Sequence, residues 1–139
     1  MTFPSNDYNI ELIEKFRANN GAMPNGAALL ILGTTGARSG QPRLNPLAYT
    51  RDGDRYVVIA SKGGYATNPD WYHNLVAHPE VTVEVGDQRF AARAIVTEGN
   101  ERERLFNAQA ALMPNFADYQ TKTTRQIPVI VLEPITSSS

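Results

Sequence analysis

Cysteine is absent from this 139-residue chain, and histidine occurs only twice. No disulfide scaffold, thiolate zinc site, iron–sulfur cluster or cysteine nucleophile can be built from it. No apolar run approaches the ~18 residues that a membrane-spanning helix needs. The amino terminus, Met1-Thr2-Phe3-Pro4-Ser5-Asn6-Asp7, also lacks the basic and apolar regions of a signal peptide. A cytoplasmic protein is the expectation. Charge of one sign is missing too, since 13 Lys and Arg face 14 Asp and Glu for a formal net charge of -1. That balance excludes a disordered acidic tail and a broadly basic nucleic-acid binder. What is present is 42% hydrophobic residues, in a length that suits one domain with a single core.

After Asp7, a candidate N-cap, Ile10, Leu12, Ile13 and Phe16 predict a short amphipathic helix that stops at Asn19-Asn20-Gly21. Its apolar face suits packing on the domain, and contact with a membrane surface is the alternative use. Residues 22–26 read as a linker, so residues 1–26 form a helix and linker ahead of a single domain at 27–135. Residues 136–139 read as a frayed tail. Within the domain, 28–32 is an apolar run of buried-strand type, followed by a loop at 33–43. A second strand at 44–50 turns at Arg51-Asp52-Gly53-Asp54 into a third at 55–60, a strong hairpin signal. A second loop follows at 61–67.

Asn68 as cap and Pro69 at the first position open a helix bearing Trp71, Tyr72, Leu75 and Val76, which His78-Pro79 ends. Residues 81–85 and 89–96 form another hairpin about Gly86-Asp87. Asn100 and Glu103 resemble a capping box for a helix with Leu105, Phe106, Leu112 and Met113 on its apolar side, up to Pro114. A last buried strand runs over 127–132. The tally is a mainly β protein with short helices (α+β) and about six strands. Hairpins favour antiparallel pairing, and so small a sheet protects its edges best by curling into a barrel.

The 33–43 loop is neither a Walker A motif, because Ala37-Arg38 follows Gly36, nor a dinucleotide fingerprint, because its glycines are three and four apart. It does hold three glycines able to turn N–H groups inward, hydroxyls on Thr34, Thr35 and Ser39, and the guanidiniums of Arg38 and Arg43. Such a loop suits a phosphate or carboxylate. A hairpin turn with two solvated arginines is the plainer reading. If the first three strands are neighbours, Lys62 from Ser61-Lys62-Gly63-Gly64 joins the two arginines on one anion. Trp71 sits at helical spacing from Leu75 and reads as core before cofactor wall, whereas Tyr65, in a Gly-rich loop, is the better pocket residue. Hydrolysis finds no support, since Gly36-Ala37-Arg38-Ser39-Gly40 sets its serine one place late for a nucleophile elbow. His73 and His78, without an HExxH pattern, do not suggest a metal site.

Gly36-Ala37-Arg38-Ser39-Gly40-Gln41-Pro42-Arg43-Leu44-Asn45-Pro46-Leu47, Asp52-Gly53-Asp54-Arg55-Tyr56, Ser61-Lys62-Gly63-Gly64, Asn68-Pro69-Asp70-Trp71-Tyr72-His73-Asn74-Leu75, Ala117-Asp118-Tyr119-Gln120 and Ile127-Pro128-Val129 occur in that order. Together they resemble the deazaflavin (F420)-dependent nitroreductase and quinone reductase family of actinobacteria. The resemblance implies a split β-barrel of the flavin-reductase or FMN-binding kind. It also implies a reductase passing a hydride from reduced coenzyme F420 to a quinone, nitroaromatic or enone. The cofactor set it implies is Arg38, Ser39, Gly40, Gln41, Pro42 and Arg43, with Ala60, Ser61, Lys62, Gly63 and Trp71. The acceptor set is Ala48, Tyr65, Met113, Phe116 and Tyr119, with Ser61 and Tyr119 as candidate catalytic residues. Relatives that reduce nitroimidazole prodrugs carry tyrosines where this chain has Ala48 and Phe116, which favours a quinone or enone acceptor over a nitroimidazole. FMN in the same barrel, or deazaflavin binding without turnover, are the alternative functions. A monomer and a homodimer both fit, and no nucleic-acid or metal partner is expected.

Overall fold

The computed structural model describes residues 7–19, 21, 29–60, 68–123 and 126–135. Four helices, α1 (Asp7–Ala18), α2 (Asp70–Ala77), α3 (Gly99–Leu112) and α4 (Asn115–Thr121), accompany seven strands. The strands are β1 (Leu29–Thr35), β2 (Pro42–Ala48), β3 (Thr50–Asp52), β4 (Arg55–Ile59), β5 (Glu80–Val85), β6 (Gln88–Val96) and β7 (Val129–Pro134). The linker expected at 22–26 and the tail at 136–139 lie outside the described residues.

The strands form one antiparallel sheet in the order β2-β1-β5-β6-β7-β4-β3. Its two outermost strands, β2 and β3, are consecutive in the chain and separated only by Tyr49. A sheet whose opposite edges are joined by one residue has to curl to bring those edges together at that residue. The result is the barrel that the hairpins predict. One strand expected at 44–50 is thus two, split at Tyr49, which turns six strands into seven.

Alternation along the strands divides the core. Leu30, Leu32, Tyr56, Val58, Ile130 and Leu132 face a first cluster that also receives Trp71 and Leu75 of α2. Their neighbours Val57, Ile59, Val129 and Val131 point the other way, against Leu105 and Phe106 of α3 and Phe116 of α4. Both faces of β4 and β7 are therefore covered, which is why they read as continuous apolar runs. Ile13 and Phe16 of α1 close over Ile31, with Leu29 and Leu44 at the margin. The apolar face of α1 is thereby used on the sheet, which leaves the membrane alternative without support. No helix among the described residues is long and apolar enough to cross a membrane.

Several boundaries differ from expectation. β1 continues through Gly33-Thr34-Thr35, which pair with Leu44, Arg43 and Pro42. A Cβ at Gly33 would lie 2.2 Å from Thr82 Oγ1 on β5, so the glycine is a close-packing strand residue and not part of a loop. Pro69 occupies the N-cap of α2, one place before its expected position. Gly99, at a φ of 59°, starts α3 ahead of Asn100, with Glu98 as N-cap. Glu103 forms no capping box and accepts a hydrogen bond from Arg102 at 2.7 Å instead. Leu112, expected on the apolar side of α3, is 73% exposed.

Candidate active site

β1 and β2 deliver a six-residue turn, 36–41, to one end of the barrel. Its shape follows from three internal hydrogen bonds of its own. Gly36 N–H donates to Gln41 O at 2.8 Å, Gly40 N–H to Gly36 O at 3.0 Å, and Gln41 N–H to Ser39 Oγ at 3.1 Å. Gly40 adopts a φ of 69°, and a Cβ at Gly36 would fall 2.5 Å from Ser39 Oγ. Gly40 is thus in a conformation that favours glycine, and a side chain at position 36 would displace the Ser39 hydroxyl from Gln41.

α2 lies beside this turn. Trp71 and Leu75 bury one side of it in the barrel interior, while Asp70, His73 and Asn74, spaced i, i+3 and i+4, share another. Between the turn and that side of the helix lies a cleft of about 740 Å³, lined by Gly36, Ala37, Arg38, Ser39 and Arg43 on one wall and Asp70, His73 and Asn74 on the other. Two guanidiniums against one carboxylate leave the lining cationic. Asn74, 8% exposed, reaches under the turn: its Oδ1 accepts from Ala37 N–H at 2.9 Å and its Nδ2 donates to Thr34 Oγ1 at 3.2 Å. Thr34 stands directly opposite Arg43 in the β1–β2 register.

The expected cradle of inward-turned N–H groups is not what the glycines build. Gly36, Ala37, Gly40 and Gln41 all spend their N–H groups inside the protein. Those of Arg38 and Ser39 are not among these bonds. The chemistry on offer to an anion is therefore that of arginine side chains and a serine hydroxyl.

Of the residues singled out from sequence, Arg38, Ser39 and Arg43 meet in the cleft. Gly40, Gln41 and Pro42 complete the turn and strand without lining it. Trp71, 6% exposed, packs in the first core cluster, and Ala60, fully buried, is in that cluster too, its N–H donating to Pro128 O at 3.0 Å. Ser61, Lys62, Gly63 and Tyr65 lie outside the described residues. The expected adjacency of the first three strands holds only in part: β4 pairs with β3 and β7, and not with β1.

Ala48, Met113, Phe116 and Tyr119 gather separately, against the second core cluster. Phe116 and Tyr119 meet edge to face with ring centroids 5.7 Å apart. Tyr119 Oη accepts from Asn115 Nδ2 at 3.1 Å, which leaves its own O–H to donate. Sequence reasoning missed Asp70 and Asn74 as lining residues and weighed His73 only for hydrolysis or metal binding. Their shared i, i+3, i+4 spacing, opposite the apolar Trp71 and Leu75, was the available signal. No group of metal-binding side chains occurs among the described residues.

A curled antiparallel barrel with a cationic cleft between turn and helix defines a split-barrel protein. A family model for F420H(2)-dependent quinone reductase matches residues 8–134, so this chain belongs to that family. It is 41% identical over 124 residues to an F420H(2)-dependent quinone reductase of Mycobacterium tuberculosis, covering 84% of this chain and 83% of the relative. Among solved structures, an F420-H2 dependent reductase (FDR-A) is 40% identical with a TM-score of 0.71, over 76% of this chain and 94% of that one. A second, described as a domain-swapped dimer, is 35% identical with a TM-score of 0.73, over 89% and 97% of the two chains.

Proposed function

We propose that this chain is an oxidoreductase that reduces a quinone with a hydride from reduced coenzyme F420. The observation that carries the reading is the meeting of Arg38 and Arg43 in one cleft of about 740 Å³, in a chain of this family. The donor set suits the cofactor. A phosphate and the carboxylates of a glutamyl tail call for forked, permanently charged donors, which two arginines supply, with Ser39 adding a hydroxyl. Gly40, Gln41 and Pro42 hold those donors, and Ala60, Ser61, Lys62, Gly63 and Trp71 are assigned to the deazaflavin end.

Bound F420 in its reduced form supplies the hydride. The protein's part is to bind, orient and move a proton. A quinone that becomes a hydroquinone gains one hydride and one proton, and Tyr119, whose O–H is still available, is assigned to pass that proton, with Ser61 as the other candidate. Ala48, Met113 and Phe116 give the acceptor an apolar wall, completed by Tyr65. Neither Ala48 nor Phe116 carries a hydroxyl to meet the charge that develops on a nitro group, so a quinone is the better acceptor.

Fluorescence titration with oxidised F420, and in parallel with FMN, tests the cofactor assignment. Anaerobic mixing of reduced F420 with menadione tests the reaction. Saturable F420 binding and cofactor oxidation that needs both protein and quinone are expected. Binding of FMN in preference, or of neither, overturns the reading.

A further inference from the structure

Arg38 and Arg43 come from different structural contexts, an exposed turn and a strand, yet both must be held in one geometry to grip a single anion. A turn with glycines at 36 and 40 keeps its internal shape through its own bonds, but none of those bonds sets where the turn sits relative to the helix wall. One side chain does. Asn74 Oδ1 takes the N–H of Ala37, the residue before Arg38. Asn74 Nδ2 donates to Thr34, the residue opposite Arg43. A single buried amide on α2 therefore touches the neighbour of each guanidinium, and the position of α2 is itself set by Trp71 and Leu75 in the barrel interior.

We infer that Asn74 is the positioning residue of the anion site: it registers the arginine-bearing turn and the end of β1–β2 against α2, so that both guanidiniums are placed before the ligand arrives. This rests on the reading of the cleft as the F420 site. Preorganisation of this kind lowers the ordering cost of binding and acts on affinity, leaving the hydride step untouched. It also explains why the Ala37 N–H is spent on a side chain and not offered to the anion.

The test combines two readouts. In the protein without cofactor, hydrogen exchange at the Ala37 amide is compared between wild type and Asn74→Leu, which keeps the branched arrangement and number of side-chain heavy atoms and removes both hydrogen bonds. F420 affinity and steady-state kinetics are then measured for wild type, Asn74→Leu, Arg38→Ala and the double variant. Faster exchange at Ala37, an F420 dissociation constant and KM raised about tenfold or more, and kcat within about twofold are expected. In the Arg38→Ala background the same Asn74→Leu change should cost distinctly less, because a positioning residue acts through the groups it places. Unchanged exchange at Ala37, unchanged affinity, or full additivity with Arg38→Ala overturns the inference. Thr34→Val, which removes only the second hydrogen bond, answers the same questions if Asn74→Leu does not fold, with a smaller loss of affinity expected. A wild type that fails to bind F420 overturns the functional reading, whereas a wild type that binds and a variant that binds equally overturns this inference alone.

Discussion

On the proposed function, Arg43 and Tyr119 divide the work of the site between affinity and turnover. A guanidinium on a phosphate makes charge-assisted, forked hydrogen bonds, so Arg43→Ala should weaken F420 binding by about tenfold or more before it slows turnover. Tyr119→Phe keeps the ring against Phe116 but removes the donor, so turnover should fall on the order of tenfold with affinity unchanged. Equal loss of turnover with unchanged binding in both variants would overturn the assignment. Gln109 makes a different residue-scale case. It is fully buried on α3, its Oε1 accepts from Thr50 Oγ1 at 3.2 Å, and its Nε2 has no partner among the described residues. A buried donor left unpaired costs stability, so Gln109→Met, which keeps the volume and removes the orphan, should be neutral or stabilising within about 1 kcal/mol in thermal unfolding. Marked destabilisation would show that the Thr50 bond outweighs the orphan.

The β3–β4 hairpin docks on α3 through charges that its turn sequence does not advertise. Arg104 of α3 donates to Asp52 at 3.1 Å and 3.4 Å, Arg55 pairs with the same carboxylate, and Glu101 stands 3.6 Å from Arg55. The guanidinium of Arg104, and then that of Arg55, hold the Asp52 carboxyl down from the usual 3.8 to about 2. A carboxylate with a depressed folded-state value stabilises fully above its unfolded value, and that contribution is lost as pH falls from about 3.8 through about 2. Asp52→Asn should therefore flatten the pH dependence of stability in that window, and raised salt should shrink the difference because the pair is solvent-facing. Identical acid unfolding curves for the two proteins would contradict it. Glu84 on β5, lowered by its hydrogen bonds from Arg17 at 3.0 Å and 2.7 Å, ties α1 down in the same manner.

At the scale of the molecule, the curl of the sheet is the controlling feature. β2 and β3 occupy opposite edges of the sheet order, and the barrel interior draws on β1, β4, β5, β6, β7 and α2 together. None of these five strands can leave without opening that cluster, so unfolding should be a single cooperative transition. Trp71 is the chain's one tryptophan and lies in the interior cluster, so its fluorescence reports on that cluster directly. Fluorescence and far-UV circular dichroism should lose native signal at the same denaturant concentration. Two separated transitions would show that α3 and α4, with the second cluster, melt apart from the barrel.

Much of this was legible locally. The hairpins at Gly53 and Gly86 follow from glycine at positions with φ of 65° and 58°, and the apolar runs of β1, β4 and β7 announce strands covered on both faces. The grouping of Arg38, Ser39 and Arg43 was visible for the same reason: Arg38 and Ser39 lie in one short turn and Arg43 is the second residue of the strand that follows it. Periodicity and backbone preference act over a few residues and can be read there. What the chain order could not convey was the break at Tyr49 that sends two halves of one apparent strand to opposite edges, the use of turn N–H groups on internal partners, and the arrival of Asn74 from 37 residues away to hold Ala37. Those were decided by register and by burial in the curled sheet, where the partner of each polar group is whichever side chain the packing brings within hydrogen-bond reach.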